Sequence, residues 1–291
     1  MAIAAGARSI RWERWTRPTL ICLTIAFGAL GLYVAIRRAG VFLKLGVLGV
    51  DHAMFMDFGR RWLEGGTIYL PYQLAGPYAY DIGSGTMDVA SMPALYPPIV
   101  GPVFAIWRFL PALLWWAIPL AILGYAFARW RPAPWAWPLT LATLVWPNTA
   151  DALWAGSSNL WIVAGVAAGL IWGWPAIVVA FKPSLAPFIL IGVQRRSWWI
   201  AAAAVAVLGL AVLPEWTRYA TAVGNLRSPG VLYSLGDLPL LLVPVVAWLA
   251  RRQPSRSAWN LDALRQALPG RGKDLGRDRL DGIRNEGVAE R

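Results

Sequence analysis

The chain is poor in charge, in cysteine and in histidine. Only 14% of its 291 residues are Asp, Glu, Lys or Arg, against about 25% in an average soluble domain. Apolar residues make up 58% and mean hydropathy is +0.50, more than one soluble core of this size can bury. A soluble enzyme is excluded, and so is intrinsic disorder over most of the chain. What remains is an integral membrane protein with several spans. Cys22 is the only cysteine, so no intrachain disulfide forms. His52 is the only histidine. A zinc site of His and Cys ligands is therefore excluded, and a Ser-His-Asp or Cys-His mechanism would have to use His52. Phosphate-binding glycine motifs of either standard spacing are absent, as are GxSxG and HExxH, which argues against nucleotide-driven, serine-hydrolase and zinc-protease chemistry. No metal and no obligatory cofactor is expected.

The charge that is present is mostly positive: 27 basic residues stand against 15 acidic ones, a net charge of +12. These charges sit at the ends of apolar segments and in the tail. The positive-inside rule explains them better than nucleic-acid binding does. Residues 1–18 carry Arg8, Arg11, Arg14 and Arg17 against Glu13 and read as a cytoplasmic amino terminus. An apolar run over 19–36 follows without a convincing cleavage site, and reads as an uncleaved first span. Further candidate spans lie near 112–128, 133–147, 160–173, 175–193, 198–213 and 237–250, with 98–110 short enough to be re-entrant or interfacial. The pairs Arg129/Arg131, Arg195/Arg196 and Arg251/Arg252 each cap an apolar run. If all three are cytoplasmic, the loops 51–97, 148–159 and 214–236 converge on the opposite face. Arg37, Arg38 and Lys44 depart from the rule by following the first span. Residues 251–291 hold ten basic and six acidic residues and read as a flexible cytoplasmic tail, with one weak amphipathic stretch over 258–268. The expected architecture is all-α: a polytopic transmembrane bundle over 19–250 with seven to nine spans.

Within the loop 51–97, the stretch 51–69 lays Phe55, Met56, Phe58, Trp62 and Leu63 on one helical face. Asp57, Arg60, Arg61 and Glu64 fall on the other. This predicts an amphipathic helix in the membrane interface, ended by Gly65-Gly66. Asp51 has two readings. It can cap the helix, or it can be a partly desolvated carboxylate acting as a general base. Asp57 reads as a solvated face residue. Tyr96-Pro97-Pro98 stiffens the chain before the next apolar segment. Asn148, Asp151 and Gly156-Ser157-Ser158-Asn159 form a polar cluster on the far side. Lys182 lies inside an apolar run, where a lysine costs about 2.5–3.5 kcal/mol on insertion scales. It requires snorkelling, an ion pair or an anionic ligand. Glu215, Arg218, Arg227 and Asp237 read as surface charge or, for the arginines, as contacts to a lipid phosphate.

The order of these features resembles glycosyltransferase family 87, polyprenol-phosphate-mannose-dependent enzymes of the GT-C membrane fold. The resemblance covers 19–213. It rests on Asp51, an aromatic four residues on, the run from Arg60 to Gly66, and Tyr69 eighteen residues after the aspartate. Tyr96-Pro97-Pro98, then Gly156 with Asn159, then Lys182-Pro183 with Arg195-Arg196 follow in the family's order. Here Gly-Ser-Ser-Asn replaces the usual Gly-Gln-x-Asn, the stretch between Asn159 and Lys182 is short, and the chain stops before the family's usual length. The resemblance implies a GT-C-type bundle in the plasma membrane. It would move a hexose, mannose in the first place, from a polyprenyl-phosphate donor to a hydroxyl of a glycolipid or glycan acceptor on the non-cytoplasmic face. It implies Asp51 as the catalytic base, Lys182 as the first donor-phosphate contact with Arg60, Arg61 and Arg218 behind it, and Tyr69, Tyr96 and Asn159 as substrate-lining residues. Two other classes compete: a small transporter or flippase for a lipid-linked or anionic substrate, and a catalytically degenerate membrane subunit.

Overall fold

A computed structural model describes residues 3–79, 89–227 and 235–252, with side chains from residue 16 onward. The tail beyond 252, and with it the stretch 258–268, lies outside the described residues. Eleven α-helices are present among them, and no strand. They are α1 (Ile3–Leu45), α2 (Val50–Gly65), α3 (Pro71–Ala75), α4 (Val100–Trp107), α5 (Leu113–Trp130), α6 (Ala136–Ala142), α7 (Pro147–Ala155), α8 (Asn159–Trp172), α9 (Arg196–Ala211), α10 (Leu213–Gly224) and α11 (Leu238–Leu249).

Two segments are long and apolar enough to cross a membrane, Thr16–Leu45 and Leu113–Trp130. The number rises to four if α7 with α8, bent by 103°, and α9 with α10, bent by 83°, each count as one span. The expected segments near 133–147 and 237–250 are present as helices of 10–17 residues, shorter than the roughly 20 residues that cross a bilayer unaided. On α1, Ile21, Ile25, Leu32 and Ile36 are all more than half exposed. A helix so apolar and so little covered by protein is suited to lipid.

The apolar run 175–193 differs from the expected span. It folds as two 3₁₀ limbs, Trp174–Phe181 and Pro183–Leu190, with Lys182 at the turn between them. Pro175, Pro183 and Pro187 each remove a backbone donor that an α-helix would use. The 3₁₀ form also reaches further, about 2.0 Å per residue against about 1.5 Å. The first limb runs back along α8, with Ala176 against Gly169 and Val178 against Gly165. The second returns until Gly192 meets Gly173. A stretch too short for a pair of membrane α-helices thus still carries Lys182 to the start of α8 and back.

Helices α5, α8 and α11 run in the same direction. At one end the Trp115 indole donates to the Gly156 carbonyl at the head of α8 (2.8 Å), and Leu240 and Leu241 of α11 pack with Ile162. At the other end Trp130, Ile171 and Ala247 share a small core. There the Arg252 amide donates to the Trp130 carbonyl (3.2 Å), and the Arg195 guanidinium donates to the Ile171 carbonyl. The three basic pairs therefore gather at one end of the bundle. The loop Gly156–Asn159 and Asp237 lie at the other. Helix α1 runs the opposite way: Gly28 meets Leu141, Gly31 meets Leu144, and the Ala35 carbonyl accepts from the Trp154 indole (2.9 Å).

The amphipathic helix forms as expected, but protein covers it. Its buried residues Met54, Phe55, Phe58 and Gly59 pack against α4, with the Phe55 and Phe104 rings stacked 4.8 Å apart. The crossing is close because each helix presents a glycine: Gly59 lies against the Phe104 backbone, and Gly101 lies under the Trp62 ring. A Cβ on Gly59 would stand 2.5 Å from the Phe104 carbonyl oxygen, and backbone cannot yield as a flexible side chain can. Gly59→Ala is expected to destabilise the protein by about 1–3 kcal/mol, read as a lowered unfolding midpoint in detergent. The same change at Gly65, where nothing lies within 4 Å, is expected to leave the midpoint nearly unmoved.

Candidate functional site

A cavity of about 490 Å³ opens where the C-terminal end of α1, the start of α2, α7 and the 156–159 loop meet. Its polar lining is Arg38, Asp51, Asn148, Asp151, Ser157, Asn159 and Asp237; its apolar wall on α1 is Val41, Phe42 and Leu45. Asp51 lies in the first turn of α2 but does not cap it. The cap is Gly49, in the left-handed conformation at φ 73°, with no side-chain capping bond. The Asp51 carboxylate is instead hydrogen-bonded to Ser157. Burial pushes its pKa up to about 6; the Ser157 bond and the Lys182 charge hold it down in part.

Lys182 arrives from the 3₁₀ turn. Its ammonium donates to Asn159 Oδ1 at 2.8 Å and to Asp237 Oδ2 at 2.9 Å. Both charged side chains are about one-fifth exposed or less, 20% for Lys182 and 17% for Asp237. An ion pair thus accounts for the lysine inside an apolar run. At the mouth, the Arg38 guanidinium donates to both carboxylate oxygens of Asp151. Among the described residues, no group of three or more His, Cys, Asp or Glu side chains is placed to hold a metal ion.

Tryptophans position the loop that carries Ser157. The Trp115 and Trp116 indoles donate to the carbonyls of Gly156 and Leu153, both at 2.8 Å. These are end-of-helix carbonyls of α7, and that of Leu153 also accepts from the Gly156 amide at 3.3 Å. Gly156 takes φ 71°, and a Cβ there would stand 2.7 Å from the Trp116 ring. No other residue type fits that turn. His52 packs between the same two rings, 5.5 Å and 5.2 Å centroid to centroid. Burial lowers its pKa, so it stays neutral near pH 7.

Of the residues singled out from sequence, Asp51, Asn159 and Lys182 come together. Tyr69 and Tyr96 stand behind them. The Tyr69 hydroxyl donates to the Tyr96 carbonyl at 2.8 Å, and the Tyr96 hydroxyl lies 3.0 Å from Ser158 Oγ. Tyr96 and Ser158 line a second, aromatic cavity of about 230 Å³ beside Trp107, Trp115 and Trp161.

Arg60, Arg61 and Arg218 are not among the residues lining the Asp51 cavity. Arg60 pairs with Asp57 (2.8 Å) and Glu64 (2.6 Å), and Arg218 pairs with Glu215 (2.6 Å). Arg61 donates to the carbonyls of Ile68, Ala90 and Met92 at 3.0–3.2 Å. It also pairs with Asp57 at 2.6 Å, the two side chains being 9% and 11% exposed. Asp57, expected on a solvated face, is therefore largely covered. The reason is that Arg61 draws the segments after α2 over that face, since its fan of donors satisfies several loop carbonyls at once. Sequence reasoning passed over Arg38, Ser157 and Asp237 as site residues. For Arg38 a signal existed: an arginine at the wrong end of the first span by the positive-inside rule.

No protein-family model, curated protein or solved structure matches this chain.

The largely covered Arg61–Asp57 pair gives a direct test of a structural role. Arg61→Ala takes the donor from several loop carbonyls and from one Asp57 oxygen, leaving Arg60 as partner of the other, and is expected to cost about 1–3 kcal/mol. Arg60→Ala, on the exposed side of the same helix, is expected to stay within about 0.5 kcal/mol of wild type. Denaturant unfolding in detergent measures both.

Proposed function

We propose that this chain is a membrane glycosyltransferase. It moves a hexose from a polyprenyl-phosphate donor to an acceptor hydroxyl, with Asp51 as general base. The observation that carries this reading is the placing of Asp51. Asp51, whose pKa burial raises to about 6, lines a cavity with an apolar wall on α1, and two other residues of that lining, Asn159 and Asp237, hold the Lys182 ammonium. A base with a pKa near the working pH combines the right protonation state with useful proton affinity. A phosphate-linked sugar brings its own leaving group, so no nucleotide or metal is required.

In this proposal Asp51 takes the proton of the acceptor hydroxyl. The acceptor oxygen bonds to the sugar's anomeric carbon as the bond from that carbon to the phosphate oxygen breaks. The electron pair leaves with the polyprenyl phosphate, and the anomeric configuration inverts. Lys182 supplies positive charge near the leaving phosphate; its pairing with Asp237 and Asn159 fixes its position. Asn159 lines the cavity directly, while Tyr69 and Tyr96 buttress the serine loop. Arg60, Arg61 and Arg218 lie away from the cavity, whereas Lys182 is held by two residues that line it, Asn159 and Asp237.

The proposal keeps the GT-C-type bundle of seven to nine passes in the plasma membrane. The amino terminus is cytoplasmic and the cavity opens on the other side. The gathering of the basic pairs at the end away from the cavity supports that orientation. A transporter would need polar groups continuing through the bundle. Beneath this cavity the core of Ile162, Val163, Val166 and Leu241 is apolar and buried, which favours transfer over transport.

The test is sugar transfer from a polyprenyl-phosphate donor, mannose first, in membranes carrying wild type or Asp51→Asn. The variant is expected to lose roughly 10²–10⁴-fold in rate. The base acts when ionised, so wild-type rate is expected to rise with pH through about 6 and level off above it. Equal rates for the two proteins would sink the assignment. No transfer by either, with every hexose donor, would favour a degenerate subunit.

A further inference from the structure

The end of the bundle away from the Asp51 cavity carries Arg129, Arg131, Arg195, Arg196, Arg251 and Arg252. Among the described residues none of these pairs with a carboxylate. Two are engaged by the protein in other ways. Arg195 donates to the Ile171 carbonyl. Arg251 donates to the Trp248 carbonyl at 2.8 Å, and its guanidinium lies 4.0 Å from the centre of the Trp248 ring. Arg129 and Arg196 are exposed and border an aromatic ledge. One turn before Arg129 on α5, the Tyr125 ring stacks on that of Trp172, from the end of α8, with 5.5 Å between centroids and 10° between planes. Tyr125 is 46% exposed and Trp172 is 43% exposed. Arg129 reaches the Tyr125 hydroxyl only at 3.5 Å, the outer limit of a hydrogen bond. Ser197, next to Arg196 at the start of α9, donates its hydroxyl to the Trp172 carbonyl at 2.8 Å. The start of α9 is thereby tied to the same ledge.

The direction of α5 decides what this arrangement suits. The helix runs toward this end, so the residues before Arg129 lie on its membrane side. There Leu120, Ala121, Gly124 and Tyr125 are exposed at the spacing of one helix face. A Cβ on Gly124 would meet nothing within 4 Å. From the bundle end inward the order is unpaired cation, aromatic ledge, apolar stripe. An anionic phospholipid presents the matching order: phosphate at the surface, glycerol at the interface, hydrocarbon toward the bilayer centre. Guanidinium groups bind phosphate oxygens, and Tyr and Trp rings suit the headgroup level.

We propose that Arg129 and Arg196 hold the head group of an anionic phospholipid in the leaflet at this end, with an acyl chain over the Tyr125–Trp172 ledge and along α5. The bound lipid joins the ends of α5 and α8 to the start of α9. The site is separate from the Asp51 cavity and stands whether or not the chain transfers sugar.

The experiment follows the unfolding midpoint of the full chain in a non-ionic detergent as phosphatidylglycerol is added. Phosphatidylcholine and chain-free glycerophosphoglycerol are added in parallel. Phosphatidylglycerol is expected to raise the midpoint saturably and the other two to raise it little. Arg129→Gln/Arg196→Gln is expected to need roughly fivefold or more phosphatidylglycerol for half the effect. Arg251→Gln/Arg252→Gln removes the same charge from the same end and is expected to titrate within about twofold of wild type. No rise with phosphatidylglycerol in wild type overturns the proposal. So does an Arg129→Gln/Arg196→Gln titration equal to that of wild type. An equal weakening by Arg251→Gln/Arg252→Gln would show attraction to diffuse charge in place of a site, and overturns it. An equal effect of phosphatidylcholine removes the recognition of negative charge, and an equal effect of glycerophosphoglycerol removes the acyl-chain contact; either overturns it as well.

Discussion

The arrangement of this protein depends on the cost of holding charge against apolar helices. Removing a carboxylate or an ammonium from water costs several kcal/mol unless a partner and hydrogen bonds compensate. In a chain so poor in charge, the ions held against apolar helices must be placed with care. Asp237 compensates Lys182, Asp151 compensates Arg38, and Asp57 compensates Arg61. Asp51 is different: Ser157 hydrogen-bonds it and the Lys182 charge acts on it, but among the described residues it forms no ion pair. Its raised pKa is the direct result of that incomplete compensation, and its chemical usefulness follows from the same cause.

Much of the rest serves to hold that geometry. The 3₁₀ limbs exist so that a short segment can bring Lys182 to the head of α8 and return. The tryptophans of α5 brace the Gly156–Ser157 turn through helix-end carbonyls. The α2–α4 crossing, tight because of Gly59 and Gly101, holds the helix whose first turn carries Asp51. Arg38 lies at the rim of the same constellation, where the first span meets the cavity.

The sequence made some of this legible. The all-α class, the helix over Val50–Gly65 and its glycine stop followed from periodicity and turn chemistry. Asp51, Asn159 and Lys182 stood out because polar residues beside apolar runs need a reason. Other features were hidden for physical reasons. A run such as 175–193 reads as a span by hydropathy, and only the spacing of Pro175, Pro183 and Pro187 hints that α-helical bonding fails. The Arg38–Asp151 pair joins residues 113 positions apart, and local pattern cannot see such a contact. Asp57 and Arg61 fall on the polar face of an amphipathic helix, and nothing nearby reveals that the following loop folds over them.

The Asp51 carboxyl, partly covered at the cavity wall, ionises above the ordinary carboxylate range. Infrared difference spectroscopy across a pH titration of the full chain, with Asp51→Asn as reference, tests it most directly. A protonated-carboxyl band is expected to disappear with a midpoint near pH 6 and to be absent from the variant. A band with its midpoint near 4, the ordinary aspartate value, would contradict it.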